Sequence, residues 1–287
     1  MFTLFYFRSL PLAADLTLKF QPNFMDLSNL CAQTLALVQE VAVFISNELG
    51  KVETIEVKAE QFNNLVSYVD KTSEQKLIAG LGEILPGSVF LAEEQTTEQA
   101  QGEWRWIIDP LDGTTNFLHQ LPCFAISVGL EHNGEMVLGV VHEISRSESF
   151  YGWKNGGAYL NGKRIQVSQR NGLREALVST GFPYHDFSRI EAYQKVSEYL
   201  MRNTRGIRRW GAAAVDLAYV ACGRYDFFFE YHLQPWDVAA GALLVQEAGG
   251  IVGDFSGGDR FWSGEEVLAG APQVIEEVRG VFKEHFG

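Results

Sequence analysis

Cysteine is scarce in this chain. Its 287 residues include three cysteines, Cys31, Cys123 and Cys222, which are widely separated and form no Cys-x-x-Cys pair. An odd number of scattered cysteines argues against a disulfide framework, and the spacing suits no zinc site. Unpaired thiols are typical of proteins in a reducing compartment, so we expect a cytoplasmic protein.

Positive charge and long hydrophobic runs are also lacking. The formal net charge is −13, so there is no basic surplus of the kind that binds nucleic acid, and we expect no nucleic-acid partner. No run of apolar residues reaches the roughly 18 to 20 needed to cross a bilayer, so we expect no membrane partner. An anionic substrate would need a local cation in order to approach so acidic a protein.

Residues 1–24 carry no regular pattern. They are apolar in patches, lack a basic start and are interrupted by Arg8, which fits a secretory signal poorly. We therefore expect this segment to be a disordered extension. The periodic pattern begins directly after it, and we expect residues 25–287 to form one domain with two tightly joined halves, about 25–170 and 171–287.

Motifs of several enzyme classes are missing. The chain has no G-x-S-x-G motif of serine hydrolases, and its six histidines form no pair at metal-ligand spacing. Gly157–Arg164 nearly fits a phosphate-binding P-loop, but Arg164 stands where Ser or Thr must reach the metal, and Asn161-Gly162 is a hairpin signal. A serine hydrolase, a zinc enzyme and a P-loop enzyme therefore have no support.

Hydrophobic residues make up 46% of the chain, which is enough for a large core. Their spacing predicts helices near 26–49, 72–85, 189–202, 212–222, 236–249 and 272–285. Single strands are predicted near 89–91, 104–109, 176–179, 225–229 and 251–254. Three Asn-Gly dipeptides within 124–167 predict an antiparallel meander, and 51–69 reads as a loop or hairpin. This alternation indicates a layered α/β or α+β fold.

Trp106–Phe117 reads W-I-I-D-P-L-D-G-T-T-N-F, an apolar strand that stops at two aspartates. The proline after Asp109 favours an extended backbone there, and the glycine after Asp112 can take a positive φ or let a ligand approach closely. A helix starting at Thr114 or Thr115 would direct free N–H groups toward an anion. Such a segment can bind a hard cation and a phosphate together, although a plain surface turn has the same pattern.

Trp236–Gly250 reads W-D-V-A-A-G-A-L-L-V-Q-E-A-G-G, a helix with small residues near its start and Gly249 at its end. Asp237 at the helix start is either a cap or a ligand. Together, the two segments resemble the signature motifs of the inositol monophosphatase family, D-P-x-D-G-T-x-N-F and W-D-x-A-x-G-x-x-x-x-E-A-G-G, each matched without a gap. The resemblance covers roughly Asp26 to Phe286.

This resemblance implies a layered αβαβα sandwich of the sugar phosphatase type, a homodimer and a Mg²⁺-dependent, Li⁺-sensitive phosphatase. It implies two or three Mg²⁺ ions per site, held by Glu93, Asp109, the carbonyl of Leu111, Asp112 and Asp237. The segment around Glu93 departs from the family pattern, because Ala92 replaces a glycine and Gln95 a serine. We expect a slightly different backbone there.

The resemblance also implies the catalytic and substrate-binding groups. Thr114 would orient the attacking water, Asp70 would pair with Thr114, and Glu93 would complete the catalytic set. The substrate contacts would come from Asp112, Gly113, Thr114, Ala213, Glu230 and Asp237. Simpler readings remain open for five of these residues: a helix cap for Asp70 and for Thr114, a strand-end acid for Glu93 and for Glu230, and a packed alanine for Ala213.

The activity implied is hydrolysis of myo-inositol monophosphate to inositol and phosphate, by in-line attack of a metal-activated water. A fructose-1,6-bisphosphatase, a histidinol phosphatase or a 3′-phosphoadenosine nucleotide phosphatase could share the metal site, but Glu230 favours inositol. A non-catalytic phosphate-binding regulatory module is the alternative from another class. The basic cluster of Arg202, Arg205, Arg208 and Arg209 is interpreted as a solvated face or dimer contact, with steering of a phosphate also open.

Overall fold

The structure is a computed structural model that describes residues 25–54, 56–57, 65–183 and 186–287. The predicted extension over residues 1–24 lies outside the described residues. Of the predicted hairpin at 51–69, two short paired strands are described, β1 (Glu56–Val57) and β2 (Leu65–Val66).

The first part of the chain forms two helices and then a sheet. Its elements are α1 (Leu27–Glu48), α2 (Tyr68–Ile84), β3 (Val89–Ala92), β4 (Trp104–Asp112), α3 (Thr114–Leu118), β5 (Ala125–His132), β6 (Glu135–Glu143), β7 (Glu148–Trp153), β8 (Gly157–Leu160) and β9 (Lys163–Arg164). Strands β3 to β9 form a seven-stranded sheet in chain order, in which β3 and β4 are parallel and the other pairs are antiparallel.

The predicted meander is confirmed in this large sheet. Asn133 and Gly134 both have positive φ, 51° and 84°, which is the two-residue turn that suits the twist of paired strands. Asn161 and Gly162 repeat it at 47° and 81° between β8 and β9. The P-loop-like stretch is thus a hairpin.

The second part forms a smaller, mixed sheet. Its elements are β10 (Leu177–Thr180), α4 (Ile190–Asn203), β11 (Gly206–Arg208), α5 (Ala213–Ala221), β12 (Phe227–Tyr231), α6 (Pro235–Glu247), β13 (Ile251–Gly253), β14 (Glu266–Gly270) and α7 (Pro272–Phe286). The strand order is β11-β10-β12-β14-β13; β10 runs parallel to both its neighbours, and β14 runs antiparallel to both of its own.

Five layers result from the packing of these elements. Helices α1 and α2 cover one face of the large sheet, α5 and α6 fill the space between the sheets, and α4 and α7 lie outside the small sheet. The αβαβα sandwich implied by the resemblance is therefore confirmed. Helix α1 is long and apolar enough to cross a membrane by length and composition alone, but here its apolar face, including Val38 and Ile45, is buried in the core.

Helix α6 lies very close to the large sheet. A Cβ atom added at Gly139 of β6 would sit 2.7 Å from the carbonyl oxygen of Ala240, so a side chain there would push the helix away. The Ser127 hydroxyl of β5 donates a hydrogen bond to the carbonyl oxygen of Trp236 at 3.1 Å. These contacts place the start of α6 next to the end of β4.

Two element boundaries differ from the prediction. Helix α2 begins at Tyr68 rather than near residue 72, because the Ser67 hydroxyl accepts a hydrogen bond from the Val69 N–H at 3.1 Å and caps the helix there. Strand β12 extends to Tyr231, so Glu230 lies within the strand rather than at its end.

Candidate active site

Three aspartates from two separate elements converge. Asp109 and Asp112 lie at the end of β4, and Asp237 lies in the first turn of α6. One carboxylate oxygen from each lies within 4.8 Å of the other two. The pairing of β4 with β5 shifts register between Asp109 and Asp112, where Pro110 has no N–H for the ladder. This irregularity directs both β4 carboxylates to one place.

Burial and mutual repulsion raise the pKa values of these carboxyl groups. Desolvation is the largest cause for Asp109 and for Asp237, and in each case the neighbouring carboxylates add to it. Burial also raises the pKa of Asp112 to about 7, although the N–H of Ala214 opposes the shift. Two like charges at about 4 Å repel by roughly 4 kcal/mol at an effective dielectric near 20. An all-oxygen cluster of this kind fits a hard divalent cation.

Asp112 also contacts the second half of the chain. Its Oδ2 atom accepts a hydrogen bond from the Ala214 N–H at 2.7 Å. Ala214 is in the first turn of α5, and Ala213 begins that helix. The positive end of the helix dipole therefore faces the acidic cluster. The predicted contact residue Ala213 thus lies with its backbone beside Asp112.

Glu93 follows β3 and lies beside the cluster. Its N–H donates to the carbonyl oxygen of Ile108 at 3.2 Å, and its negative charge contributes to the raised pKa values of Asp109, Asp112 and Asp237. Gln95 has a φ of 53°, a left-handed conformation that is uncommon for a residue with a side chain. The unusual backbone lies at one of the two positions where the sequence departs from the family pattern.

Thr114 and Asp70 are in direct contact. The Thr114 hydroxyl lies 2.9 Å from Oδ1 of Asp70 and 2.9 Å from the carbonyl oxygen of Leu111. The other carboxylate oxygen of Asp70 accepts from the N–H and the hydroxyl of Ser67, at 2.8 and 2.7 Å. The N-cap reading of Asp70 is therefore wrong, because Ser67 is the N-cap of α2; Asp70 lies in the first turn, completes the capping box and contacts Thr114 at the same time.

Gly113 turns the chain between β4 and α3. Its φ is 88°, and an added Cβ atom would lie 2.8 Å from the carbonyl oxygen of Cys123. The side-chain amide of Asn116 donates to that carbonyl at 2.7 Å and to the carbonyl of Trp210 at 2.8 Å. The loop that carries Thr114 is thereby tied to the segment before α5.

The Glu230 carboxylate lies close enough to the acidic cluster to interact electrostatically with Asp112 and Asp237. A Cβ atom added at Gly181 would come within 1.8 Å of its Oε1 atom, so the carboxylate rests directly against the Gly181 backbone. Burial raises the pKa of Glu230, the Asp216 charge raises it further, and the Arg209 guanidinium lowers it. Arg209 thus faces two acidic side chains, Glu230 and Asp216, that lie near the cluster.

The four arginines of the basic cluster do not act alike. Arg202 is 73% exposed and pairs with Glu198 one helical turn away, at 2.7 Å. Arg205 and Arg208 are also exposed. Arg209 is partly buried and lies over the ring of Phe182, 5.5 Å from its centroid. Three members fit the prediction of a solvated face, whereas Arg209 interacts with the buried acids Glu230 and Asp216.

Glu74 is a buried residue that the sequence reasoning missed. It is 0% exposed, and its carboxylate accepts hydrogen bonds from the N–H of Glu94 and from the N–H and hydroxyl of Thr96, each at 2.7 Å. Its position four residues after Asp70 on α2 is the only sequence signal that could have indicated it.

The layered αβαβα fold, with an acidic cluster beside the starts of α5 and α6, is a sandwich of the sugar phosphatase type. The model of the inositol monophosphatase family matches residues 26–284. The chain therefore belongs to the inositol monophosphatase family, and a metal-dependent phosphatase is the class of activity that membership supports.

Individual relatives agree on the family and differ in their names. A putative Nus factor SuhB of Neisseria meningitidis is 42% identical over 237 residues, which are 82% of this chain and 91% of that protein. A fructose-1,6-bisphosphatase/inositol-1-monophosphatase of Thermotoga maritima is 38% identical over 258 residues, 86% of this chain and 97% of that protein. The crystal structure of the extragenic suppressor protein suhB of Bartonella henselae has a TM-score of 0.82 at 35% identity, covering 90% of this chain and 98% of that one.

Proposed function

We propose that the protein is a Mg²⁺-dependent phosphomonoesterase that hydrolyses myo-inositol monophosphate to inositol and phosphate. The observation that carries this proposal is the convergence of Asp109, Asp112 and Asp237 within 4.8 Å, with pKa values raised by burial and by one another. Buried carboxylates in such a cluster need a cation, and oxygen ligands suit Mg²⁺.

Glu93, Asp109, Asp112, Asp237 and the carbonyl of Leu111 would hold two or three ions. Bound Mg²⁺ would lower the pKa of a water molecule and stabilise the leaving oxygen. In our proposal the Thr114 hydroxyl donates a hydrogen bond to Asp70, which leaves an oxygen lone pair free to accept a hydrogen bond from the attacking water. Asp70 and Glu93 complete this catalytic set.

The substrate would lie between the cluster of Asp109, Asp112 and Asp237 and the Glu230 carboxylate. The N–H groups around Gly113 and Thr114 would bind the phosphate, since the first N–H groups of a helix have no partner within that helix. On the far side, the Glu230 carboxylate accepts hydrogen bonds from ring hydroxyls, beside the backbone of Ala213. Burial raises the pKa of Glu230, and the Arg209 guanidinium partly offsets that rise, which favours the carboxylate form.

Phosphate release tests this proposal. Purified protein is incubated with inositol monophosphate, fructose 1,6-bisphosphate, histidinol phosphate and a 3′-phosphoadenosine nucleotide, each with Mg²⁺ and with a chelator, and in LiCl or NaCl. We expect Mg²⁺-dependent, Li⁺-sensitive release that is fastest from inositol monophosphate. Release from another of these substrates alone would keep the enzyme class and replace the substrate, and no release from any would favour the non-catalytic module.

A second candidate is the Nus-factor function given in the name of the Neisseria meningitidis relative, and the 42% identity favours it. If this function consists in binding a partner, it would not need the carboxylates of Asp109, Asp112 and Asp237. Replacing the gene of that relative with wild-type and Asp112→Asn forms of this chain separates the two. A binding role predicts equal rescue by both forms, whereas a role that depends on phosphatase activity predicts rescue by the wild type alone.

The family also supports a homodimer, and the three unpaired cysteines suit a cytoplasmic location. Sedimentation of the full chain at several concentrations checks the first of these proposals.

We expect the stabilisation by Mg²⁺ to increase with pH. Burial raises the pKa of Asp112 from 3.8 to about 7, so the charged form of this carboxyl group is disfavoured in the metal-free folded protein. The contribution of Asp112 to the stability of that protein therefore falls as the pH rises from 3.8 to about 7. Mg²⁺ binds the charged form and reverses the effect. At a concentration about 100 times the dissociation constant it adds roughly 2.7 kcal/mol. The rise in Tm should therefore be larger near pH 8 than near pH 5.5, as measured by calorimetry against NaCl of equal ionic strength. Equal rises at both pH values would contradict it.

Glu230→Gln should change substrate choice rather than the rate of the chemical step. A hydrogen bond to a charged group contributes roughly 1.5 to 3 kcal/mol, so we expect kcat/KM for inositol monophosphate to fall several-fold to about hundredfold. p-Nitrophenyl phosphate has no hydroxyl groups to bind, and its hydrolysis should be nearly unchanged. Equal slowing of both substrates would place Glu230 in the metal site or in the fold.

A further inference from the structure

The loop that follows β3, residues 93–97, carries Glu93 and needs support. Gln95 within it has a φ of 53°, a left-handed conformation that non-glycine residues rarely adopt. Such a conformation persists only where the surroundings impose it. The loop continues the pairing of β3 with β4 for one residue, through the bond from the Glu93 N–H to Ile108, and then turns away.

The support is the carboxylate of Glu74. One of its oxygens, Oε2, accepts from the Glu94 N–H at 2.7 Å. The other, Oε1, accepts from the N–H and the hydroxyl of Thr96, both at 2.7 Å. These bonds hold the residues on either side of Gln95. Because Glu74 is 0% exposed, water does not compete for them, and hydrogen bonds to a buried charged acceptor are the strong kind.

One face of helix α2 therefore positions both Thr114 and the loop that carries Glu93. Asp70 and Glu74 are four residues apart, so their side chains lie one above the other on the helix. Asp70 contacts Thr114, and Glu74 holds the loop with Glu93. One turn of a single helix thus sets the distance between the predicted water-orienting group and a predicted metal ligand.

We propose that Glu74 is a positioning residue that sets the affinity of the site for Mg²⁺ by fixing the loop of Glu93. This inference rests on the proposed function. Both carboxylate oxygens of Glu74 accept hydrogen bonds from the loop. Its removal should therefore weaken metal binding while leaving the chemical step intact once the site is filled.

The test uses the full chain with Glu74→Gln, and Glu83→Gln as a matched control on an exposed position of the same helix. In Glu74→Gln, an NH₂ group meets the N–H groups of the loop where an acceptor is needed. Partners that orient metal ligands typically contribute about 10- to 100-fold to metal affinity, and we expect the Mg²⁺ dissociation constant from calorimetry, without substrate, to rise by that factor. At saturating Mg²⁺, kcat should stay within about threefold of the wild type.

Two results would overturn the inference: a Glu74→Gln protein that folds and binds Mg²⁺ as tightly as Glu83→Gln, or one whose kcat stays depressed at saturating Mg²⁺ with unchanged affinity. If Glu74→Gln does not fold, Thr96→Val decides. It removes the hydrogen bond from the Thr96 hydroxyl to Glu74 and should weaken Mg²⁺ binding about three- to tenfold. An unchanged Mg²⁺ affinity in this variant would contradict the inference. Wild-type protein that binds Mg²⁺ but releases no phosphate would instead contradict the proposed function.

Discussion

Asp112→Asn should lower the rate of phosphate release from inositol monophosphate by at least about 10³-fold, since a metal ligand lost from the transition state forfeits roughly 4 kcal/mol. Asp112 is central to the cluster: it lies within 4.8 Å of both Asp109 and Asp237, and it adds to the raised pKa of each. Calorimetric titration should show a matching loss of Mg²⁺ affinity.

The fold should survive this change. The bond that Asp112 accepts from the Ala214 N–H needs only an oxygen atom, and an asparagine amide supplies one. Removing a buried negative charge also relieves repulsion in the metal-free protein, so Tm without Mg²⁺ should not fall. Asp259→Asn, the same substitution at an exposed site, is the control and should keep full activity. A folded Asp112→Asn protein with wild-type rates would end the assignment of the metal site.

The second large effect is expected at Thr114. Thr114→Val keeps the size and the branched shape but removes the hydroxyl that contacts Asp70 and Leu111, at 2.9 Å each. A group that positions a proton transfer typically contributes about 10² to 10⁴ in rate, and we expect kcat to fall by about 10² to 10³ with Mg²⁺ affinity within a few-fold. Single-turnover rates at saturating Mg²⁺ measure the chemical step directly.

Thr114→Ser is the matched control, because it restores the hydroxyl without the methyl group. Its kcat should lie within about tenfold of the wild type, since the proton-positioning contribution is retained. Equal losses in the Ser and Val variants would mean that packing of the methyl group, rather than the hydroxyl, is what the site requires.

Local sequence predicts the residues that lie in contiguous motifs. Asp109, Asp112 and Thr114 follow one another across a strand end, and Asp237 begins a helix of recognisable pattern, so short-range rules place each of them. The tertiary fold brings these residues together, and the sequence predicts this convergence only through the resemblance to the inositol monophosphatase family. The metal and catalytic roles of these residues stay predictions, although the geometry brings the groups together.

Residues without a motif could not be found in this way. Glu74 reads as one more polar residue of an amphipathic helix, and only the approach of the 93–97 loop makes it an acceptor of three bonds. A glycine is needed at position 181 because the Glu230 carboxylate packs directly against the backbone there. The early start of α2 was missed for a local reason: Ser67 and Asp70 share hydrogen bonds across the helix start, whereas apolar periodicity is clear only further along the helix.

The close packing of α6 on the large sheet has a consequence for synthesis of the chain. The ribosome completes β4, with Asp109 and Asp112, long before it adds Asp237 and the helix whose Ala240 lies against Gly139. A nascent chain that ends before α6 has two of the three aspartates and an uncovered apolar sheet face, which is a hazard for aggregation. A site that needs all three aspartates would therefore be completed only after α6 has been added, late in the synthesis of the chain.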